Sequence, residues 1–434
     1  MVKRIHEIRD GVHVFVRLDS EERKIVDSRA FQRLRHIHQL ALTYLVYPGA
    51  THRRFEHSLG VMELADRVFR VITADENLNP RVREKVPTGD QLVYWRRVLR
   101  MAALCHDLGH LPFSHAAEKK LLPEGRTHES LTVDLVNSDE MRSIWSEVTP
   151  PLRPDDIAKL AVGPKELRDQ AFSDWERILT EVIVGDSFGV DRMDYLLRDS
   201  LHAGVVYGKF DQYRLIDTLR ILPETDEESA APVLGIESGG LESAEGLLLA
   251  RYFMYSQVYF HPVRRAYDFH LQDFLLSVYA DGIPTDIDDF LNLTDNEVLV
   301  ELRKAAVDSS HPGHEAADRI VNRKHYRILY ERNPQDAERN PESGEAVFEA
   351  ARAELGEQHL HHDHYRQGGS STSFPVRTRD GRIMPSQAVS DVLKTLPLVN
   401  IDRVLVAPEL RGKAQNWLGE KRDEIISQVA EDEP

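Results

Sequence analysis

The sequence has one cysteine, Cys105, among 434 residues. A single thiol excludes an intrachain disulfide framework, a cysteine-built zinc finger and an iron–sulfur cluster, and it suits a reducing cytosol. No apolar run is long enough to cross a bilayer, and the opening MVKRIHEIRDGVHV has no apolar leader core. The expectation is a cytoplasmic protein. Positive charge is in deficit, since 55 Lys and Arg face 72 Asp and Glu for a net charge of −17. A surface of that sign repels polyanions, which argues against general nucleic-acid coating and binding to anionic membrane. A small basic pocket for one phosphorylated ligand still fits this balance. Internal repeats and low-complexity tracts are absent too. What is present is 41% hydrophobic and 29% charged residues, the balance of a chain that folds, at a length that suits two or three domains or lobes.

Breaks in composition organise the chain. An Asp10-Gly11 turn signal precedes alternating Val12, Val14, Val16 and Leu18, which predicts a strand or hairpin. From there to about Leu222 the pattern is mainly helical. In VLRMAALCHDLGH, Val98, Met101, Ala102 and Cys105 fall at i, i+3, i+4 and i+7, with Gly109 and Pro112 as the stop. Acidic PETDEESAAP (223–232) reads as a surface loop between lobes, after which ESAEGLLLARYFMYSQVYF is helical again. Further breaks fall at RNPQDAERNPESGE (332–345) and RQGGSSTSFP (366–375), the second with the composition of a mobile loop. DRVLVAP (402–408) reads as a late strand, and the tail after Glu409 as an amphipathic helix. The expected domains are residues 1–222, 233–331 and 346–434, the last an α+β region.

Four polar clusters interrupt the helical pattern. THRRFEHSLGV carries His52, Arg53, Arg54, Glu56 and His57 at the start of an amphipathic helix, where an imidazole can face a cleft; taken alone, a capping or core histidine is the favoured reading. LCHDLGHLPFSH carries His106, Asp107, His110 and His115, too many for packing. On a continuing helix His110 would lie one turn after His106 on the same face. THES places Thr127 as an N-cap with His128 and Glu129 opening a helix. In VDRMDYLLRDSLH the helical period puts Val190, Met193, Leu197 and Leu201 on one face, and Asp191, Tyr195, Arg198, Asp199 and His202 on another. None of the clusters offers a soft ligand. Histidine with carboxylate suits iron, manganese, zinc, cobalt or nickel, without choosing among them. Such an ion lowers the pKa of bound water, which is the chemistry of hydrolysis.

At these residues the sequence resembles the HD-domain phosphohydrolases, and within them the deoxynucleoside triphosphate triphosphohydrolases of the SAM- and HD-domain type. The resemblance runs from about Lys3 to Tyr267 and is most specific over FQRLRHIHQL, THRRFEHSLGV, LCHDLGHLPFSH, HES and VDRMDYLLRD. It implies a mainly α fold: an HD helical core within 1–222, a second, mostly helical C-terminal lobe whose 233–331 segment completes the nucleotide site, and a few short strands. No SAM domain is expected before it. The implied metal ligands are His57, His106, Asp107 and Asp191, holding one divalent transition metal, with additional Mg allowed alongside the nucleotide. The implied catalytic histidine is His115, supported by Glu118 and His128; Ser114 would open a helix carrying His115 and Glu118 three apart. Water would attack the α-phosphorus, releasing tripolyphosphate and a nucleoside.

Arg54, His110, Arg192 and Tyr195 match phosphate-holding positions, a role that needs charge-assisted hydrogen bonds. Gln39, Asp199 and Tyr267 match positions that read the deoxyribose, and Leu40 the apolar wall that leaves no room for a 2′-hydroxyl. Asp27, Gln32 and Arg35 resemble residues that read an activating nucleotide, GTP or a dNTP, at a subunit interface. That implies a homo-oligomer, with a tetramer favoured. The chain also departs from the pattern: Val263 stands where a histidine is expected before Tyr267, and an upstream phosphate-binding arginine has no equivalent in YFMYSQVYF. Another HD specificity stands as the alternative (a deoxynucleoside monophosphatase, a cyclic-nucleotide or alarmone phosphodiesterase, or a nuclease), as does a nucleotide-binding regulatory module. HLHHDHY, with His359, His361, His362 and His364, reads as solvated surface, with adventitious metal binding the lesser reading.

Overall fold

Asp10 makes the first turn. Its Oδ1 accepts the N–H groups of Val12 (2.8 Å) and His13 (2.7 Å), closing an antiparallel hairpin of Ile5–Asp10 with Val14–Asp19. Alternation then buries Val16 and Leu18 and leaves Phe15 and Arg17 exposed. In this computed structural model, residues 5–114, 118–227, 229–366 and 373–427 are described. His115 lies outside them, as does most of the Gly-Ser stretch of RQGGSSTSFP.

Helices dominate, as the sequence patterns predict. The chain divides into two units that interleave along it. One comprises Met1–Met254, Asp281–Val298 and Ser371–Leu396; the other comprises Tyr255–Ala280, Leu299–Ser370 and Pro397–Pro434. The core of the first unit is built on Arg54–Ile72, whose first turn is closed by Glu56 Oε1 accepting the Arg53 N–H at 2.8 Å. Gly89–Cys105 packs along it, and Val190–Ala203 packs on it too. PETDEESAAP proves to be the loop of a hairpin within this unit, because Leu219–Pro223 pairs in register with Pro232–Glu237. Pro375–Arg377 and Ile383–Pro385 extend that sheet to four strands.

The second unit contains a three-stranded sheet with Asn400–Val406 between Arg327–Glu331 and Leu360–Arg366. Leu360, Val404 and Val406 pack with Val347 and Ala351 of helix Ser343–Leu355 and with Ala414 and Leu418 of helix Arg411–Ser427. RNPQDAERNPESGE is more ordered than its composition suggests: Asn333 caps a short helix, Pro334–Arg339, by accepting the Asp336 N–H. HLHHDHY is largely strand, with Asp363 fully buried, so it is not the solvated surface its letters suggested. Among the described residues, no helix is long and apolar enough to cross a membrane.

Two local readings are corrected. The helix through VLRMAALC ends at Cys105 rather than running on to Gly109. His106 caps it, its Nδ1 lying 2.8 Å from the Ala103 carbonyl oxygen, which satisfies one of the acceptors a helix end leaves open. Gly109 follows because a Cβ there would sit 2.1 Å from the His128 carbonyl oxygen. Likewise, helix Val190–Ala203 buries Val190 and Met193 of the apolar face that its period predicts, but not Leu201. Leu201 is 47% exposed, whereas Asp194, Arg198, Asp199 and Ser200 are buried. Its inward face is charged because neighbouring elements supply the partners.

Candidate metal centre

His57 enters from the first turn of Arg54–Ile72, His106 and Asp107 from the turn after Gly89–Cys105, and Asp191 from the first turn of Val190–Ala203. His57 Nε2 lies 3.0 Å from Asp191 Oδ1 and 3.6 Å from Asp107 Oδ2. His106 Nε2 lies 3.3 Å from Asp107 Oδ1 and 3.6 Å from Asp191 Oδ1. Four donors from three segments thus form one tight knot.

The tautomers are set from behind. The bond to the Ala103 carbonyl puts the proton of His106 on Nδ1 and leaves Nε2, buried and without a hydrogen-bond partner, turned into the knot. His57 Nδ1 lies 2.8 Å from Asp194 Oδ2, which turns its Nε2 inward in the same way. Asp194 also meets His13 Nε2 at 2.6 Å and accepts from Arg198 Nε (2.8 Å) and Nη2 (2.9 Å). Arg198 Nη1 reaches on to Asp10 Oδ2 at 2.8 Å. Gly60 makes room for this chain of charges, since a Cβ there would lie 2.0 Å from Asp194 Oδ1.

The electrostatics follow from this arrangement. Burial disfavours charge on His57, but Asp191 and Asp194 outweigh it and push the ring up to about 10. Proton and cation therefore compete for Nε2, and cation binding expels a proton. Burial raises the Asp107 carboxyl, yet Arg54, His106 and His110 hold it well below the usual carboxylate range. Burial, with Arg54 and His128 nearby, pushes His110 down, so its ring stays neutral.

His106, Asp107 and Asp191 of the knot border a cleft of about 330 Å3. Of the sequence-predicted site residues, Gln39, Arg54, His106 and Asp107 line it, as do His110, His128, Asp191 and Tyr195. Arg54 donates through Nη1 to Asp107 Oδ2 and through Nη2 to Ser114 Oγ at 2.8 Å. Glu118 Oε1 accepts from the His128 backbone N–H (2.9 Å) and lies 2.7 Å from its Nδ1, while His128 stacks on His110 with centroids 4.0 Å apart. The described part of the helix carrying Glu118 is Glu118–Leu121, and the start expected at Ser114 adjoins residues outside those described. Phe113 and Ser114 take positive φ of 56° and 60°, a conformation side chains adopt only under constraint. Asp295 supplies it, its Oδ1 accepting the Phe113 N–H at 2.7 Å and its Oδ2 the His38 N–H at 2.7 Å.

Other candidates lie off the cleft lining. Arg192 Nη1 donates to the Gly185 carbonyl oxygen at 2.9 Å. Asp199 is buried with Oδ1 2.7 Å from His52 Nε2, and Leu40 is 8% exposed beside Gln39. Tyr267 is buried in the second unit. Asp27, Gln32 and Arg35 form a local group: Asp27 pairs with Arg23, Gln32 Oε1 accepts from Arg35 Nε at 2.9 Å, and the Arg35 guanidinium lies over the Phe55 ring. Sequence reasoning missed Asp10, His13, Asp194 and Asp295. Only Asp194 left a signal, as an acid four residues before Arg198 in a helix.

Comparison with known proteins bears directly on this knot. A family profile described as the HD domain matches residues 54–196, and one described as an HD associated region matches residues 210–357. The chain belongs to the HD-domain family. HD domains bind a divalent metal. Among curated relatives, an uncharacterised protein of Methanocaldococcus jannaschii is 35% identical over 68% of this chain and 54% of its own length. The deoxynucleoside triphosphate triphosphohydrolase SAMHD1 of Homo sapiens is 32% identical over 74% of this chain and 54% of its own. The chain spans about half the length of these curated relatives. A hypothetical protein from Aquifex aeolicus aligns in structure with a TM-score of 0.77 and 32% identity, covering 95% of this chain and 100% of that one.

The residues suit a metal of this class. Nitrogen and oxygen ligands sit about 2.0–2.2 Å from such an ion, which puts neighbouring ligand atoms roughly 3.0–3.5 Å apart. The observed separations of 3.0 to 3.6 Å agree, and the orphaned Nε2 of His106 is the donor an ion would satisfy.

Proposed function

We propose that this HD-domain protein is a phosphohydrolase that cleaves deoxynucleoside triphosphates into a deoxynucleoside and inorganic tripolyphosphate. The observation that carries the reading is the His57, His106, Asp107 and Asp191 knot opening onto a cleft lined by Gln39, Arg54, His110, His128 and Tyr195. Similarity to SAMHD1 proteins, named as deoxynucleoside triphosphate triphosphohydrolases, supports the substrate class.

A divalent iron, manganese, zinc, cobalt or nickel ion held by the four ligands would supply an activated water at neutral pH. Additional Mg would accompany the nucleotide. Arg54, His110, Arg192 and Tyr195 bind the phosphates, with Arg54 already aimed across Asp107 and Ser114. Neutral His110 donates a hydrogen bond without adding charge. His115 holds the proton delivered to the departing 5′-oxygen, and the Glu118–His128 pair supports it. Gln39, Leu40 and Asp199 read the sugar. Gln39 Oε1 is buried without a hydrogen-bond partner, an acceptor that a 3′-hydroxyl would satisfy. Leu40 beside it penalises a 2′-hydroxyl. Asp27, Gln32 and Arg35 take an activating GTP or dNTP in a cytoplasmic homo-oligomer, with a tetramer favoured.

The test is to incubate metal-loaded protein with each dNTP, singly and mixed, and to identify the phosphate product. Tripolyphosphate with free deoxynucleoside is expected. Orthophosphate or pyrophosphate would transfer the protein to another HD specificity. Activity confined to mixtures, with a larger particle by light scattering, would support nucleotide-driven assembly.

A further inference from the structure

HLHHDHY has no role in the cleft, yet the fold gives it an ordered environment. Strand alternation puts His362 and His364 on one face, and the ladder sets His364 directly opposite Asp402. His362 Nε2 lies 2.8 Å from Asp402 Oδ1, and His364 Nδ1 lies 3.8 Å from that same oxygen. The three residues each offer a ligand atom within 4.8 Å of the other two. Asp402 is 4% exposed. Its Oδ2 has no hydrogen-bond partner, the nearest cation being Arg332 Nη1 at 3.6 Å. A carboxylate so buried is costly unless a positive group answers it.

The ring of His362 is held from behind. Its Nδ1 lies 3.1 Å from Glu345 Oε2, and it stacks on Phe348 with centroids 5.2 Å apart. A proton on Nδ1 donated to Glu345 leaves the Nε2 lone pair turned toward Asp402. His57 shows the same arrangement, with Asp194 behind and carboxylate oxygens in front. A carboxylate behind a histidine is what orients metal-binding imidazoles and raises their basicity. The nearby trio of His270, Asp273 and His361 lacks this feature, because His270 Nε2 accepts the Tyr326 N–H at 3.2 Å. His364 is 37% exposed, which leaves an approach for an ion and room for a water ligand.

We propose that His362 Nε2, His364 Nδ1 and Asp402 Oδ1 form a second metal site, for a borderline divalent ion such as zinc. Two imidazoles with one carboxylate suit that class of ion better than calcium or magnesium. The competing arrangement is an ion pair in which a protonated His362 bridges Glu345 and Asp402.

Zinc content decides between them. The 434-residue chain is stripped with chelator, dialysed against micromolar zinc and assayed by elemental analysis. His364→Ala should hold about one zinc per chain fewer than wild type, whatever the HD centre retains. His364→Cys should restore that zinc, showing that a donor was lost rather than the fold. With cobalt in place of zinc, His364→Cys should gain a thiolate-to-cobalt absorption band absent from wild type, whose lone thiol, Cys105, is buried. Equal zinc in wild type and His364→Ala, or a His364→Cys variant as depleted as His364→Ala, would overturn the site in favour of the ion pair. So would zinc retained only at millimolar concentration.

Discussion

LCHDLGHLPFSH and HLHHDHY are comparably rich in histidine and aspartate, yet the fold uses them differently. The first contributes two candidate ligands, His106 and Asp107, to a knot completed from His57 and Asp191, far away in sequence. His57 and His106 in that knot are each oriented by a buried partner, the Asp194 carboxylate and the Ala103 carbonyl. The second works by strand alternation, with donors two residues apart, part-exposed, and only Asp402 brought from a neighbouring strand. Convergence from distant segments buries charge and orders it on all sides, whereas local periodicity yields a shallower group. The support behind the two histidines shows the contrast most directly: the Asp194 side chain is 0% exposed and that of Glu345 is 55% exposed.

The severest way to break this contrast is Asp107→Ala, which should remove bound metal and about 10³-fold or more of turnover together. Full activity with normal metal content would take Asp107 out of the centre. His115→Ala should cut turnover by about 10²–10⁴-fold while metal remains; unchanged kinetics would place the acid elsewhere. Asp194→Ala tests the support itself. It leaves Arg198 and His13 buried without their carboxylate, so denaturant melts should show a loss of about 3–5 kcal/mol, and metal titration an affinity lower by about 10–100-fold.

The same carboxylate sets an acid limit. Burial raises Asp194, but Arg198, His13 and His57 outweigh it and hold it well below its ordinary 3.8. Its contribution is complete above that value and is lost as pH falls through the lower folded-state value. The melting temperature of wild type should therefore drop below about pH 4, with a shallower slope in Asp194→Ala. Leu40→Gly should raise GTP turnover relative to dGTP by about tenfold or less, the scale of a pocket filter; an unchanged ratio would discard the sugar wall. Smallest of all, Glu345→Gln should cost less than about 1 kcal/mol in the same melts, as for other exposed pairs. A loss comparable to Asp194→Ala would erase the contrast.

Much of this molecule was legible in its residues. Helical period located the Arg54–Ile72, Gly89–Cys105 and Val190–Ala203 helices, the Thr127 cap, the late strand and the closing helix, because backbone geometry and side-chain spacing are local properties. The resemblance to HD-domain phosphohydrolases likewise implied His57, His106, Asp107 and Asp191 before any distance was known. Three-dimensional packing alone decided that the chain turns after Cys105, that Val190–Ala203 buries Asp194 and Arg198 in preference to Leu201, and that PETDEESAAP closes a hairpin. It also recruited Asp10, His13 and Asp295, whose letters are unremarkable where they stand. A buried charge is tolerated only when opposite charges or donors meet it from other segments, and that meeting is a property of chain closure which no local pattern carries.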